Sequence, residues 1–463
     1  MTEPRKDRWF LLVLLCLPTM SLLMSTNSVI TALATIGKTF PDAHHIAEWT
    51  LLSYSITAAS LSIPAGNLGD RYGLRRIYII GLVVFLIGAL GASLASSAEL
   101  LILSRIVSGM GSAILAPVAL AFLNRLFTGS EKPVAFGYWA ASVTIGIVVG
   151  PLVGGWVQTV ASWHLIFPAT ALPAALALIM LHRLPAFSSD GGSPPMDIKG
   201  VAGLAILPFL TLFTIAEAGG LSLASIVALL ASILILGSWT WRHLQTCPHP
   251  AVPISRLKHS SWWRPSVLQL IIRCTFLSML TLLTTYFHSV EGKSEYLSSQ
   301  ALLPFCLAVG LASLSSGFIC RALGARRVLI SVFILAFMAL LSLLTLTTTG
   351  FRPQDWVAVI AIGFLVGNTA QLSRLAISNF PPDESMRGAA LNTLIINLGI
   401  SLGAALPSLV RSILFDDMGL GDVIPADQLV NLMHADITVL ILMCAVGGWQ
   451  ALRLADQAQS SPG

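Results

Sequence analysis

The sequence predicts an all-α membrane protein: two bundles of six membrane-crossing helices with two inserted helices between them, 14 transmembrane helices in all. Three observations predict it. Only 10% of the 463 residues are Asp, Glu, Lys or Arg and 55% are apolar, whereas soluble domains carry roughly 25% charged residues. The apolar residues gather into fourteen long stretches. One charged loop occurs twice, 251 residues apart, with Gly66 falling on Gly317 and Gly73 on Gly324. So little charge cannot cover the surface of a water-soluble enzyme, and the mean hydropathy of +0.83 agrees.

The stretches lie near residues 9–36, 46–66, 76–97, 100–124, 134–158, 163–182, 198–217, 221–241, 264–288, 298–320, 326–348, 355–378, 388–412 and 434–453. Each approaches the ~20 residues a helix needs to cross the hydrocarbon core. Barrel strands would alternate polar and apolar residues, and these runs do not. The first stretch follows Arg5, Lys6 and Arg8 and has no small-residue cleavage site, so it reads as a retained helix and not a secretory signal.

Charge placement sets the orientation. With the N-terminus inside, most of the 26 Lys and Arg fall on cytoplasmic segments, among them Arg256, Lys258, Arg264, Arg321, Arg326 and Arg327. Lys38, Lys293 and Arg352 fall outside, and the longest external loop carries Asp416, Asp417, Asp422 and Asp427. The positive-inside rule then puts both termini in the cytoplasm of a multi-pass inner (plasma) membrane protein. The net charge of +5 is therefore topology, and no nucleic-acid partner is expected. The six cysteines form no CxxC pair, so neither disulfides nor a zinc site is indicated. His44-His45 on the first external loop does not read as a metal site, and no cofactor is expected.

The doubled loop divides the chain into an N-terminal six-helix bundle (1–185), two inserted helices with cytoplasmic linkers (186–262) and a C-terminal six-helix bundle (263–463). Parallel repeats of this kind build many secondary transporters. Ser188–Asp197 and Thr246–Ser261 read as linkers, and Gln457–Gly463 as a disordered tail.

Four motifs carry chemistry. The loop Gly66-Asn-Leu-Gly69-Asp70-Arg71-Tyr-Gly73-Leu-Arg75-Arg76 is tight and charged: Gly66 and Gly69 allow close helix approach, and Gly73 suits a turn with φ > 0. Asp70 can pair with an arginine or a helix N-terminus. In the fifth stretch Gly146, Gly150 and Gly154 recur every four residues, making a smooth face, with Pro151 and Gly155 beside it. Arg105, in the fourth stretch, and Arg273, nine residues past Arg264 and hence about 13 Å deep, are charges placed where charge is expensive. Ser25-Thr26-Asn27-Ser28 forms a polar patch in the first stretch.

The Gly66–Arg76 loop resembles the G-x-L-x-D-R-x-G-x-[RK]-[RK] motif of the major facilitator superfamily. Gly146–Gly155 resembles the G-x-x-x-G-P-x-x-G-G antiporter motif of its exporting members. Ser162-Trp163-His164 and the two inserted spans resemble the fourteen-helix drug:proton antiporter family. The resemblance implies the major facilitator fold, a cytoplasmic latch at the first loop, and a proton-coupling role for Arg105. It implies a substrate or coupling role for Arg273 on a cavity-lining helix. It also implies a secondary active transporter that exports small amphiphilic molecules (multidrug efflux type) by alternating access, coupled to protons, as a monomer among membrane lipids. One departure matters: where that family places an acid in the first helix, this chain has Ser25.

No stretch shows a clearly central acid, since Glu48, Glu217 and Asp436 are expected near external ends. Two arginines without an acid favour anionic, zwitterionic or neutral amphiphiles over lipophilic cations. The alternative is thus a dedicated exporter of an anionic or zwitterionic metabolite or lipid on the same fold. Tyr54, Trp139, Asn368, Gln371 and Asn397 complete the candidate coupling or substrate residues, Asn368 and Gln371 on one helix face. HExxH, GxSxG and paired mid-span acids are all absent, so no catalytic residues and no enzyme are expected.

Overall fold

The computed structural model describes residues 5–41, 43, 46–180, 197–217, 223–252, 254–257, 259–293, 297, 300–348, 350–381, 384–414 and 426–454. Among them the regular structure is helical. His44-His45, most of the first linker, the acidic stretch with Asp416, Asp417 and Asp422, and the C-terminal tail lie outside the described residues.

The principal helices are α1 (Arg5–Ile30), α2 (Leu33–Thr39), α3 (Ile46–Tyr72), α4 (Leu74–Ser93), α5 (Ala98–Leu126), α6 (Lys132–Val160), α7 (Ile166–Met180), α8 (Ile198–Glu217) and α9 (Leu223–Thr246). They continue with α10 (Ile254–Leu257), α11 (Ser260–Thr285), α12 (Leu303–Leu323), α13 (Ala325–Leu343), α14 (Pro353–Gly367), α15 (Thr369–Ile377), α16 (Ser385–Leu414) and α17 (Ala426–Leu452). A helix lies at each of the fourteen apolar stretches. Among the described residues eleven helical segments are long and apolar enough to cross a membrane, and α8 adds a shorter apolar run, Ile198–Thr214. The 27-residue α3 and the 30-residue α16 have the length but stand outside that count.

Two stretches read as single helices are interrupted, each for a local reason. The first ends at Ile30 because Gln158 Nε2 takes the carbonyl and hydroxyl of Thr31, at 3.0 and 3.1 Å, and the chain turns before α2. The twelfth breaks at Asn368, whose Nδ2 returns to the Phe364 carbonyl at 2.8 Å. There the backbone tightens, with Asn368 N on the Leu365 carbonyl and Gln371 N on that of Asn368.

The chain forms two compact units: Met1–Leu257 with Ile377–Leu394, and Lys258–Ala376 with Ile395–Gly463. In the first, α4 packs on α5, α1 on α6 and α7, and α3 on α5 and on the α8–α9 pair. In the second, α14 packs on α12 and α13, and α17 on α13 and α11. The repeat is visible in backbone geometry. Gly73 has φ 88° and ψ 139°, and its counterpart Gly324 has φ 85° and ψ 143°. Both sit in the left-handed half of φ space, where a Cβ would be strained.

Lipid tails are as apolar as leucine, so helices in a membrane associate through close packing more than through burial of apolar surface. The α6 glycine face does this against α1. A Cβ on Gly146 would meet the Met20 carbonyl at 2.6 Å, one on Gly150 the Met24 carbonyl at 2.9 Å, and one on Gly154 the Ser28 carbonyl at 2.6 Å. Pro151 lies inside α6, half-buried, and the helix runs on through it. A Cβ on Gly155 would meet nothing within 4 Å, so this motif residue is outside the contact. The second unit repeats the device: a Cβ on Gly399 of α16 would meet the Leu270 carbonyl of α11 at 2.8 Å, and one on Gly403 would run into the Cys274 carbonyl.

Gly150→Leu is expected to separate α1 from α6, lowering the thermal midpoint of the purified protein and abolishing transport. Gly155→Ala should leave the midpoint unchanged. Thermal unfolding of both variants in detergent checks this, and a Gly150→Leu protein of wild-type stability would remove the contact's importance.

Candidate transport site

In the first unit the structure brings Ser25, Arg105 and Tyr54 together. Ser97 caps α5 by accepting from Leu100 N at 3.2 Å, and Arg105 follows two turns later, fully buried. Its Nε donates to the Thr50 carbonyl at 2.9 Å and its Nη1 to Ser25 Oγ at 3.1 Å. Its guanidinium carbon stands 4.4 Å from the centroid of the Tyr54 ring. A cation over an aromatic face gains about 0.5–2 kcal/mol, more when desolvated. Nη2 has no hydrogen-bond partner. The charge is therefore held by neutral groups.

Two of the other expected residues stay outside this group. Asn27 Nδ2 turns back to the Leu23 carbonyl at 2.8 Å, and Asn27 lies against Gly150. Trp139 Nε1 donates to Thr19 Oγ1 at 3.2 Å, one and a half turns from Ser25.

The second unit has its own buried arginine. Arg273 is the fourteenth residue of the 26-residue α11, and its Nη2 donates to Thr369 Oγ1 at 3.2 Å, with Nε unpartnered. One turn away, Gln269 Nε2 donates to Ser373 Oγ at 2.9 Å. Two side chains four apart on α11 thus meet two four apart on α15. Gln371 Nε2 donates to Ser316 Oγ at 3.2 Å, and Arg374 Nε to Gln371 Oε1 at 3.2 Å. Asn368 caps α14, while Asn397 is half-buried on α16. The sequence reading missed Gln269, Thr369, Ser373 and Arg374. The paired four-residue spacing was the available signal.

The loop residue Asp70 is an N-terminal partner for α16. Its carboxylate accepts from Met386 N at 3.2 Å and Arg387 N at 3.1 Å. The Arg387 and Arg125 guanidinium groups stand 3.8 and 4.0 Å away, and Arg125 Nε donates to Ser385 Oγ at 2.9 Å. A carboxylate at a helix N-terminus satisfies free N–H groups and meets the positive end of the dipole. Gly66 and Gly69 make room: a Cβ on them would meet Ala390 Cβ and Met386 Cγ, both at 2.6 Å. All these residues belong to the first unit, which includes 377–394. Arg71 and Arg76 are exposed and Arg75 half-buried.

Burial pushes the Asp70 carboxyl up from 3.8 to about 7, against the pull of Arg387, the two N–H groups and Arg125. A raised carboxyl pKa means that the folded state binds a proton the unfolded chain has released. The associated stability is full below about 3.8 and is lost as pH rises through about 7.

Asp436 was expected near an external end, but α17 begins at Ala426 and Asp436 lies ten residues in, about 15 Å along the axis. It is fully buried, and neither carboxylate oxygen has a hydrogen-bond partner. A second-unit span therefore does carry an internal acid. The side chains of Glu48 and Glu217 lie outside the described set.

The major facilitator superfamily model matches residues 15–404. This chain belongs to the major facilitator superfamily. It is a multi-pass membrane transporter, and several of its relatives are named for resistance or efflux. The methyl viologen resistance protein SmvA of Salmonella typhimurium is 26% identical over 413 residues, 88% of this chain and 83% of that one. The drug efflux pump JefA of Mycobacterium tuberculosis is 24% identical over 387 residues, 82% and 75% of the two chains. The human organic anion transporter MFSD10 (TETRAN) superposes with a TM-score of 0.71 at 13% identity, covering 97% of this chain and all of that one, a likeness of fold alone.

Asp70→Asn is expected to lower transport strongly while membrane insertion stays intact. Wild type should also lose stability relative to Asp70→Asn between about pH 4 and 7, with a constant difference above. Transport assays matched for expression, and thermal midpoints across that range, check both statements.

Proposed function

We propose that this chain exports small amphiphilic molecules across the plasma membrane by alternating access, coupled to protons. It works as a fourteen-crossing monomer of the drug:proton antiporter kind with both termini in the cytoplasm. Residues 1–185 and 263–463 are its two bundles, and 186–262 carries the inserted pair. The observation that carries export is the α6 glycine face seated on α1 at Met20, Met24 and Ser28, because that spacing resembles the antiporter motif of exporters. Relatives named as a drug efflux pump and a methyl viologen resistance protein support the direction. In this reading Asp70 on the α16 N-terminus is the latch.

Proton coupling is assigned to Asp436. The first helix has Ser25 where the family places an acid. An intramembrane carboxyl with neither oxygen paired is a functional residue by default.

A second reading, a dedicated exporter of an anionic or zwitterionic metabolite or lipid, is favoured by one observation. Each unit holds a buried arginine with an unpartnered donor, Arg105 Nη2 and Arg273 Nε, and neither makes an ion pair among the described residues. Such a field attracts anionic groups and repels cations.

The test is transport of charge-matched cationic, neutral and anionic amphiphiles by proteoliposomes under an imposed pH gradient. Asp436→Asn should abolish gradient-driven transport and leave ligand binding intact. Arg273→Ala should weaken binding of anionic or zwitterionic ligands about tenfold more than neutral ones, the scale of one charge-assisted hydrogen bond. Ser25→Asp should improve recognition of lipophilic cations or lock the carrier. Robust cation binding unchanged in Arg273→Ala would leave a conventional multidrug site, and full gradient coupling in Asp436→Asn would move the proton elsewhere.

A further inference from the structure

The helices α8 and α9 bring together a cluster that the proposed function leaves unused. His243 lies in the last turn of α9, and Cys247 follows four residues later. The Cys247 N–H donates to the His243 carbonyl at 2.9 Å, so the helical turn continues and both side chains leave one face. Asp197 comes to them from the residue before α8. A carboxylate oxygen, one imidazole nitrogen of His243 and the Cys247 Sγ all lie within 4.8 Å of one another. The distance from Asp197 Oδ1 to His243 Nε2 is 2.7 Å.

The carboxylate is fixed in place. The Asp197 side chain is 3% exposed, and it accepts from Gly200 N at 2.9 Å and Ala251 N at 3.0 Å. Trp239, one turn before His243, stacks on the imidazole with ring centroids 5.6 Å apart and planes 13° apart. The ring is thus oriented as well as reached.

We propose that Asp197, His243 and Cys247 bind a divalent transition metal of zinc type, tying the near ends of α8 and α9 together. One carboxylate oxygen, one imidazole nitrogen and one thiolate sulfur are the donors that borderline cations such as Zn²⁺ select, and three protein ligands leave one position for water. Tetrahedral bonds of about 2.0–2.3 Å set ligand atoms roughly 3.3–3.6 Å apart, so Asp197 Oδ1 and His243 Nε2 part from their 2.7 Å contact while the Cys247 sulfur closes on the metal. Rotation of the half-buried Cys247 side chain supplies that movement. Metal on the imidazole takes the Nε2 lone pair, so a proton held there moves to Nδ1, and the thiol proton leaves to solvent as the sulfur binds. Sequence spacing alone did not indicate a zinc site. The third ligand lies 46 residues before His243 and reaches it only through the helix pair.

The same contacts admit a purely structural clamp in which Asp197 caps α8, so the test must see the sulfur. The purified full-length chain in nanodiscs is titrated with Co²⁺, read by absorption, and separately loaded with Zn²⁺, desalted and assayed for metal content. The expected result is one metal per chain, with a thiolate-to-cobalt charge-transfer band that Cys247→Ser removes. His243→Gln should lower the retained zinc at least tenfold. Absence of the band in wild type, or equal band and metal content in Cys247→Ser, overturns the site in favour of the clamp. Should His243→Gln fail to fold, the conservative Cys247→Ser decides alone.

Discussion

Backbone contact at glycine is the constraint on which the rest of this structure depends. In lipid no water drives α1 onto α6, so the two hold through van der Waals contact and polar groups at short range. Gly146, Gly150 and Gly154 let the α1 carbonyls come as near as a side chain's first carbon would stand. That contact runs along Met20 to Ser28, the turns that carry Ser25. The second unit uses the same device, with Gly399 set against Leu270 and Arg273 of α11. In each unit the helix bearing the polar stretch is thus the helix fixed by glycine.

Fixed helices make buried charge tolerable. Arg105 and Arg273 are each compensated by hydroxyl, carbonyl or ring, and among the described residues no carboxylate pairs with either one. A neutral hydroxyl can rotate and accept from a different donor at little cost, whereas an ion pair resists separation. Asp70 is the opposite case. It meets two N–H groups and two guanidinium groups at a helix start, so its contact has directional and electrostatic parts.

What was legible in the sequence was what depends on local pattern. Apolar length located the helices. The doubled loop foretold that Gly73 and Gly324 would share a conformation, because a short turn between long helices leaves few choices. Arg105 and Arg273 stood out because charge in an apolar run is rare. What was not legible depends on pairing across helices. Nothing local tells Ser25 that Arg105 will reach it, or Arg273 that Thr369 will accept its hydrogen bond. Asp436 was misplaced for a plainer reason. The first turns of α17 alternate buried Leu429, Val430, Leu432 and Met433 with Asp427, Gln428, Asn431 and His434, so mean hydropathy rises only after the helix has already begun.

The interruption at Asn368 has a mechanical consequence. The hydrogen-bond ladder there changes from four-residue to three-residue steps, and one carbonyl is served by an amide side chain. Such a joint bends without unwinding, because its carbonyls keep a donor while the axis tilts. Gln371, Ser373 and Arg374 sit beyond the joint. The other end of the span is pinned by Asp355, which is buried and accepts from Arg352. The span is then two rods on a pivot, and a force at its far end arrives at Arg273 as a change of angle, not a stretch.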